Sequence, residues 1–383
     1  MATPKEFDTI RPFEPEEIPA VADRLAKDEI FKGVVAKLYP KIPFEGIINK
    51  VKTCSSSLDF QKKFVYDIVK GIIDERTAGC DMDYSEIDNK LNFTFISNHR
   101  DIVLDSAMLD KLMIDDSFIT TCEIAIGDNL LSLPWIKDVV RLNKAFIVER
   151  SLGMREMLLS SKRLSEYMHF AIKEKKENIW IAQREGRAKD SNDQTQESIL
   201  KMMAMGGEGS AAERLIALHL VPLTISYEYD PCDYLKAREF QLKRDNSSWK
   251  KAPGDDLKSM TTGILGFKGK VHYHCSSCID DYIKSHSDLP KGEIFVNIAN
   301  KIDQDIFKNY KLYPGNYAAL DVLSGKEDFA SHYTLEEKSA FLKYIDGQLE
   351  KITDIPNKDD VFLRERILTM YANPVRNHIK VSR

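Results

Sequence analysis

Two hydrophobic periods meet in the stretch Asn92-Phe-Thr-Phe-Ile-Ser-Asn98-His99-Arg100-Asp101-Ile-Val-Leu-Asp105-Ser106-Ala-Met-Leu-Asp110. Residues 93–96 are apolar and β-prone, which predicts a short buried strand. From Leu104 onward, apolar residues recur at helical spacing, at Met108 and Leu112. His99 lies between carboxylates where the period changes. Open α/β folds place their chemistry where a strand ends and a helix begins, so this stretch is the first candidate for a functional site.

Short β-prone runs alternate with helical segments between about residue 90 and residue 300. This alternation predicts an α/β fold in which a central mixed sheet is flanked by helices. The candidate strands are Phe93–Ser97, Ile124–Ile126, Phe146–Val148, Ile179–Ala182, Val221–Tyr227, Val271–His274 and Ile294–Ile298.

Helical patterns flank this block on both sides, so we divide the chain into an N-terminal helical extension (1–88), an α/β domain (89–300) and a C-terminal helical region (301–383). Apolar residues recur every four positions over residues 60–72. Thr334-Leu-Glu-Glu337 has the form of a capping box that opens a helix through Leu349. A last helix, around Val361–Tyr371, precedes a basic tail. Either the helix docks on the domain and its tail is solvated, which we favour, or this basic end lies on an anionic membrane surface.

The composition restricts the class of protein. A formal net charge of -5 over 383 residues argues against general nucleic-acid binding, which needs a basic face. No apolar run approaches the roughly 18 residues of a membrane-spanning helix, and the first residues contain no secretory apolar core. The six cysteines are scattered, which is typical of free thiols. We therefore expect a cytoplasmic protein that contacts membranes only peripherally, at the inner face.

His99 is the candidate general base. A carboxylate on one imidazole nitrogen fixes the tautomer, which leaves the other nitrogen able to accept a proton. Both Asp101 and Asp105 are close enough in sequence to take that part. The triplet His99-Arg100-Asp101 also resembles the catalytic loop of protein kinases, but Ser106 stands where that loop has Asn, and no Asp-Phe-Gly follows. We reject the kinase interpretation.

Three later stretches complete a pattern. They are Asn143-Lys-Ala-Phe-Ile-Val-Glu-Arg150, Ile179-Trp-Ile-Ala-Gln-Arg-Glu185-Gly186-Arg187-Ala-Lys189 and Val221-Pro222-Leu-Thr-Ile-Ser. With the Asn-His stretch, their order and spacing resemble the glycerolipid acyltransferase family, which includes glycerol-3-phosphate and lysophosphatidic acid acyltransferases. The resemblance covers roughly residues 90 to 280.

Two departures from the family pattern concern the site itself. The family places an Asp five positions after the His, whereas Leu104 stands there in this chain and Asp105 follows it. The Glu-Gly-Thr-Arg turn lacks its Thr, so that Arg187 directly follows Gly186. We favour Asp105 as the partner of His99, because the residues after it continue like the family's helix, and we keep Asp101 as the alternative.

The resemblance implies an O-acyltransferase of glycerophospholipid synthesis. His99 would deprotonate an acceptor hydroxyl, which attacks the thioester of acyl-CoA or of an acyl carrier protein; no other cofactor is implied. The acceptor would be glycerol-3-phosphate or a lysophosphatidic acid-type lipid. Guanidinium groups suit its phosphate, so Arg150 and Arg187 are the expected contacts. The other predicted substrate-binding residues are Arg100, Glu185, Gly186 and Lys189.

Other interpretations remain open. The stretch His272-Tyr-His274-Cys275-Ser-Ser-Cys278 holds four potential zinc ligands, but a structural site usually draws on two separated pairs, so we predict no metal. The altered spacings are also compatible with a catalytically silent lipid- or protein-binding module on the same scaffold. A third possibility is an acyltransferase for a non-phosphate lipid, in which Arg150 would be dispensable.

Overall fold

A single seven-stranded sheet forms the centre of the protein. The structure is a computed structural model and describes residues 3–39, 42–131, 133–150, 152–252 and 254–382. In chain order the strands are β1 (Cys80–Asp83), β2 (Thr94–Ser97), β3 (Cys122–Gly127), β4 (Ala145–Val148), β5 (Asn178–Ala182), β6 (Leu220–Tyr227) and β7 (Val271–Cys275).

The sheet is mixed, with the spatial order β1-β7-β6-β2-β5-β3-β4. The five strands from β6 to β4 are parallel to one another. β7 runs antiparallel to β6, and β1 is parallel to β7. The predicted fold class, a mixed sheet flanked by helices, is confirmed.

Two strand assignments differ from the sequence prediction. The run Ile294–Ile298 is helical, because Ile294, Ile298 and Ile302 repeat every four residues and bury one helical face. β1 was missed, since its four residues are mostly polar and pair only with β7 at the edge of the sheet. It belongs to the sheet although it precedes residue 89, the predicted start of the α/β domain.

The helices of the described residues, in chain order, are α1 (Ile18–Leu25), α2 (Glu29–Leu38), α3 (Phe44–Lys52), α4 (Ser57–Phe60), α5 (Tyr66–Arg76), α6 (Leu104–Asp115), α7 (Pro134–Leu142), α8 (Met154–Phe170), α9 (Glu197–Met203), α10 (Ala211–Ile216), α11 (Asp233–Asp245), α12 (Asp255–Leu265), α13 (Asp280–Ser285), α14 (Lys291–Lys308), α15 (Pro314–Ser324), α16 (Leu335–Glu350) and α17 (Asp360–Ser382). None of them combines the length and apolar character needed to cross a bilayer.

Helices cover both faces of the sheet. On one face, residues of α8, α9, α10 and α14 pack against Ile96, Phe146 and Ile179. On the other face, α5 and α6 pack against Phe95 and Trp180. Helices α1 to α3 form a separate apolar cluster that reaches Leu142 of α7. The N-terminal helices therefore stand beside the sheet edge where β3, β4 and β5 end.

The C-terminal region docks on α11 and α14. The predicted capping box is present, since Thr334 Oγ1 accepts the Glu337 amide at 3.1 Å and Glu337 Oε2 accepts the Thr334 amide at 2.8 Å. The last helix continues through Pro374 to Ser382, and Val381 packs on the core. The last helix is thus docked, as we favoured, but the residues after Tyr371 continue this helix where we expected a solvated tail.

Candidate active site

His99 lies in the turn between the end of β2 and the start of α6. Its Nδ1 is 2.7 Å from Asp105 Oδ2. Asp105 is the second residue of α6, so its carboxylate sits in the first turn, where the helix dipole and free amides favour negative charge. The structure therefore places Asp105 beside His99 in spite of the six-residue separation.

Backbone amides hold the Asp105 carboxylate in place. Oδ2 also accepts the amide hydrogens of Arg100 at 2.6 Å and Asp101 at 3.0 Å. The hydroxyl of Tyr273 donates to the Asp105 carbonyl oxygen at 2.8 Å, which ties this turn to β7. The side chain of Asp105 is fully buried. The turn is thus built around this carboxylate.

Asp101, the alternative partner, has a different task. Its Oδ1 accepts the amides of Val103 at 2.9 Å and Leu104 at 2.8 Å, so it caps the first turn of α6. A side chain at Gly263 would overlap Asp101 Oδ2, and α12 therefore approaches this turn closely only because residue 263 is glycine. Burial, followed by the charge of Asp105, raises the pKa of Asp101.

Trp180 orients the imidazole from the neighbouring strand. The two rings meet edge to face with centroids 5.5 Å apart, and Trp180 Nε1 donates to Ser97 Oγ at 3.0 Å. Within the described residues, His99 Nε2 makes no hydrogen bond, and the side chain is 14% exposed. An imidazole that is fixed through Nδ1 and open at Nε2 is able to take a proton from a bound hydroxyl.

His99 lines a cavity of about 1380 Å³. Pockets for drug-sized ligands usually measure roughly 300–1,000 Å³, so this one has room for a larger molecule. The residues contributed by the first five helices and their connections are apolar or aromatic, and among them are Leu25, Phe31, Val35, Ile47, Phe64 and Ile68. The loops after β4 and β5, together with α11, contribute most of the charged residues.

Arg150 and Glu185 lie together on the charged wall. Arg150 Nη1 is 3.6 Å from Glu185 Oε1, and both residues line the cavity. Gly127 makes room for the arginine, since a Cβ there would lie 2.9 Å from Arg150 Nε. Gly186 adopts a positive φ of 67°, which turns the chain sharply after Glu185. Arg150 and Glu185 therefore form an ion pair at the edge of the same cavity.

Arg187 is the buried cation of the site. It lines the cavity, and its buried Nη1 has no hydrogen-bond partner among the described residues. No carboxylate of the described part lies within ion-pair distance of it, although its charge acts on Asp101 and Asp230. A buried guanidinium with an unsatisfied donor is costly without an anion, so this position is suited to an anionic ligand group.

Lys189 also lines the cavity, but it is already paired. Its Nζ is 2.8 Å from Glu239 Oε2 of α11. Burial outweighs the attraction of Glu239 and lowers the pKa of Lys189 to about 8. Its positive charge is therefore present at neutral pH and is lost in mildly alkaline solution.

Arg100, which we predicted to bind substrate, does not line this cavity. It is buried in an ion pair with Asp193 and donates to Ser191 Oγ, on the other side of the β2–α6 turn. The side chain of Arg100 is bound by segment 191–193, which follows the Glu-Gly-Arg turn. Arg100 therefore joins two loops of the site, and we no longer count it among the substrate contacts.

Several cavity residues were not identified from the sequence. Lys243 and Lys251 bring positive charge from α11 and the connection after it, and the N-terminal helices supply the apolar wall. These residues lie outside the four blocks, and nothing in their local pattern marks them. Trp180 was the one with a usable sequence cue, because it precedes the Glu-Gly-Arg turn on the same strand.

The four potential zinc ligands of the stretch His272–Cys278 do not point to a common site. His272 and His274 share one face of β7 and pair with Asp81 and with Asp83 and Glu86, while Cys275 is buried on the opposite face. Among the described residues, a different group brings three potential ligand atoms within 4.8 Å of one another: His219, Cys278 and Asp280. In the described part of the chain no fourth His, Cys, Asp or Glu joins this group, and a hydrogen bond already joins His219 to Asp280.

Comparisons with known proteins bear on the central part of the chain. Residues 83–226 match the family model described as Acyltransferase. No curated protein sequence matches the chain. Among solved structures, the chain is similar to the 1-acyl-sn-glycerophosphate (LPA) acyltransferase PlsC from Thermotoga maritima, with 11% identity, a TM-score of 0.40, and 76% of this chain and 92% of that chain covered.

The matched residues 83–226 include in full three of the four stretches quoted from the sequence. These hold His99, Asp105, Arg150 and Arg187, and the match also includes nearly all of β6. They also contain His99, with its partner Asp105, and the buried Arg187, and both His99 and Arg187 line the cavity. The family match confirms the acyltransferase resemblance. Residues 83–226, which hold His99, Asp105, Arg150 and Arg187, are thus similar to the acyltransferase family.

Proposed function

We propose that this protein transfers a fatty acyl group from a thioester donor to the hydroxyl of glycerol-3-phosphate or of a lysophosphatidic acid-type lipid. The observation that carries the proposal is that His99, paired with Asp105, and the unpaired buried Arg187 line one cavity whose remaining wall is largely apolar. Such a cavity offers a base, an anion site and space for an acyl chain at the same time.

His99 acts as the general base in the proposed reaction. Its Nε2 takes the proton of the acceptor hydroxyl, and the oxygen attacks the thioester carbonyl carbon. The C–S bond then breaks, and the thiolate leaves with a proton from the imidazolium. Asp105 holds the ring and stabilises the positive charge that forms on it, because its buried carboxylate bonds Nδ1 directly.

The charged wall supplies the phosphate contact. A phosphate group presents several acceptor oxygens, and a guanidinium binds two of them with parallel hydrogen bonds. Arg187 is the primary contact, since its Nη1 has no other partner among the described residues. Arg150 takes a second oxygen by leaving Glu185, to which it is bound only at 3.6 Å. Lys189, two residues after Arg187, adds positive charge to this wall, and Glu239 holds its ammonium group in place.

The apolar wall holds the acyl chain of the donor in this scheme. Side chains from the N-terminal helices, such as Phe31, Ile47 and Phe64, line the cavity together with Trp180. Burying each methylene of an acyl chain contributes about 0.8 kcal/mol, so a long chain is bound mainly by this wall. Both acyl-CoA and acyl carrier protein are suitable donors, and we place the reaction on the cytoplasmic side of a membrane.

An acceptor panel tests this function with the purified full-length chain. Thiol release is followed with acyl-CoA and, separately, with acyl carrier protein, in the presence of glycerol-3-phosphate, lysophosphatidic acid or monoacylglycerol, and products are identified by mass spectrometry. We expect a new ester with a phosphate-bearing acceptor and little with monoacylglycerol.

Two results would contradict the proposal. If monoacylglycerol is esterified as well as its phosphorylated counterpart, the phosphate contact is wrong and the acceptor is a neutral lipid. If no donor releases thiol with any acceptor, the chain is a silent binding module on the acyltransferase scaffold.

A further inference from the structure

The first turns of α8 project from the body of the protein with apolar side chains. All residues from 153 to 159 are exposed, whereas Ser160 and Leu164 further along the helix are buried. Met154 is 92% exposed, and Leu158 and Leu159 are each 62% exposed. In the described part of the chain, no other stretch of six residues contains four exposed large apolar side chains; here they are Met154, Met157, Leu158 and Leu159.

This segment begins as a capped helix. Glu156 Oε2 accepts the Gly153 amide at 3.3 Å, which satisfies a donor at the helix start. The later turns are anchored in the core through Leu164, Tyr167 and Met168. The exposed turns are therefore a continuation of a packed helix.

The exposed segment lies at the same edge of the sheet as the cavity. β4 ends at Val148, Arg150 lines the cavity, and α8 starts at Met154. Leu130 and Leu131, in the connection after the neighbouring β3, line the cavity as well. A surface that receives Met154 and Leu158 would thus lie close to the opening through which a lipid reaches His99.

Positive charge accompanies the apolar side chains. Arg155 has no carboxylate within ion-pair distance among the described residues. Lys162, about two helical turns further along, is largely exposed, and its Nζ is 3.4 Å from Glu166. Glu156, the one acid among residues 153–159, is used at the helix start. Apolar residues interleaved with basic ones are typical of helices that lie in the interface of an anionic membrane.

We propose that residues 154–159 of α8, with Arg155 and Lys162, dock the protein on an anionic lipid bilayer. The inference rests on the proposed function, since an acceptor or product with acyl chains resides in such a bilayer. A second copy of the chain is a poorer occupant, because a stable protein interface buries roughly 1,200–2,000 Å², far more than four side chains offer.

This surface differs from the basic C-terminal tail that the sequence offered as a membrane contact, and it also differs from the N-terminal helices. In the N-terminal helices, apolar residues such as Val35, Ile47 and Phe64 line the cavity or the adjoining core. In the C-terminal helix, Val381 packs on the main core. Among their described side chains, neither region has a comparable cluster of exposed apolar residues, so we assign the membrane contact to α8.

Co-sedimentation with vesicles tests the proposal on the full chain without any substrate. Wild-type protein should bind phosphatidylcholine vesicles that contain phosphatidylglycerol, and bind pure phosphatidylcholine vesicles more weakly. The double variant Leu158→Asp/Leu159→Asp should bind the mixed vesicles about tenfold less, because two charges enter the apolar face. Arg155→Gln should lower binding only to the anionic vesicles.

The matched control is Leu335→Asp/Val361→Asp, at two remote positions that are 78% and 81% exposed. It should bind vesicles like the wild type, and circular dichroism checks that all variants are folded. Equal binding by both double variants, or no vesicle binding by the wild type, would overturn the proposal. So would a wild-type dimer in sedimentation velocity that Leu158→Asp/Leu159→Asp dissociates, since the segment would then join two copies. Because no acyl transfer is measured, a failure of the enzymatic proposal would appear separately.

Discussion

Two histidine–aspartate pairs lie at opposite ends of two neighbouring parallel strands, β2 and β6. His99 follows β2 and bonds Asp105 through Nδ1 at 2.7 Å, while His219 precedes β6 and bonds Asp280 through Nδ1 at 2.6 Å. The distance from Nδ1 to the carboxylate oxygen is thus nearly the same in the two pairs.

Their surroundings differ in every other respect. His99 is 14% exposed and its carboxylate partner is fully buried, whereas the side chain of His219 is 47% exposed. His99 opens into a cavity with Arg187 on its wall, and His219 lies outside that cavity. A His–Asp pair is therefore a candidate catalytic base only where the histidine lines an enclosed cavity.

The largest difference between the pairs should appear when each histidine is removed. We expect His99→Ala to lower kcat by about 10²–10⁴-fold, because general base catalysis contributes that much. His219→Ala is the matched control and should keep wild-type turnover. Steady-state kinetics with the best acceptor of the panel measures both. Near wild-type turnover of His99→Ala would remove the base from the mechanism.

Exchanging the carboxylates should have the next largest effect. Asp105→Asn should lower kcat by about 10²-fold, because the amide cannot stabilise the imidazolium. The KM for the acceptor should change little, since Asp105 does not contact it in our proposal. Asp280→Asn should leave both constants unchanged. A selective rise in KM for Asp105→Asn would show instead that the β2–α6 turn had lost its shape.

The cations near the two pairs provide a third comparison. Arg187→Gln should raise the KM for a phosphate acceptor by about 10–100-fold, since a hydrogen bond to a charged group is worth about 1.5–3 kcal/mol. Lys176, whose charge acts on His219, serves as the control in Lys176→Gln and should have no effect. An Arg187→Gln enzyme that still prefers the phosphate acceptor would assign that contact to another residue.

A smaller effect should follow from pH. Because burial lowers the pKa of Lys189 to about 8, its charge is present below that pH and is lost above it. The KM for the phosphate acceptor should rise about threefold between pH 7 and pH 9, a modest change because Glu239 already pairs with the lysine. In Lys189→Gln this rise should be absent. A rise that persists in the variant would belong to a different group.

The smallest expected effect concerns stability at the exposed pair. The hydrogen bond that His219 makes to Asp280 raises the pKa of His219, so the pair stabilises the folded state below pH 6.5, and the contribution is lost as the pH rises through the raised pKa. Asp280→Asn should lower the free energy of unfolding by at most about 1 kcal/mol at pH 5.5, given the solvent screening. At pH 9 it should have no effect. Urea unfolding at the two pH values, with chelator present, measures the difference, and a pH-independent loss would contradict the ionic origin.

Much of the fold could be predicted from the sequence because its buried strands are short apolar runs between helical repeats. Six of the predicted strands are present, and the capping box at Thr334 marks a helix start correctly. The errors have local causes. The run Ile294–Ile298 is short and apolar, so its pattern fits a strand as well as a helix. Strand β1 has too few apolar residues to be recognised without its partner β7.

The site was predictable only where it coincides with strand ends. His99, Arg150 and Arg187 follow three strands, and parallel strands bring their ends to one edge. Arg100 follows His99 directly in the same turn, but its side chain points to the other side of the turn, where it pairs with Asp193. No pattern in the chain distinguishes these two directions.

The sequence by itself determined the α/β class, the four blocks and the set of carboxylates available to His99, because hydrophobic period and residue order are local properties. Only the tertiary structure decided that Asp105 binds the ring while Asp101 caps the helix, and that α11 and the N-terminal helices close the cavity. It also decided which apolar side chains of α8 remain in solvent. These facts depend on contacts between segments far apart in the chain, which no local pattern encodes.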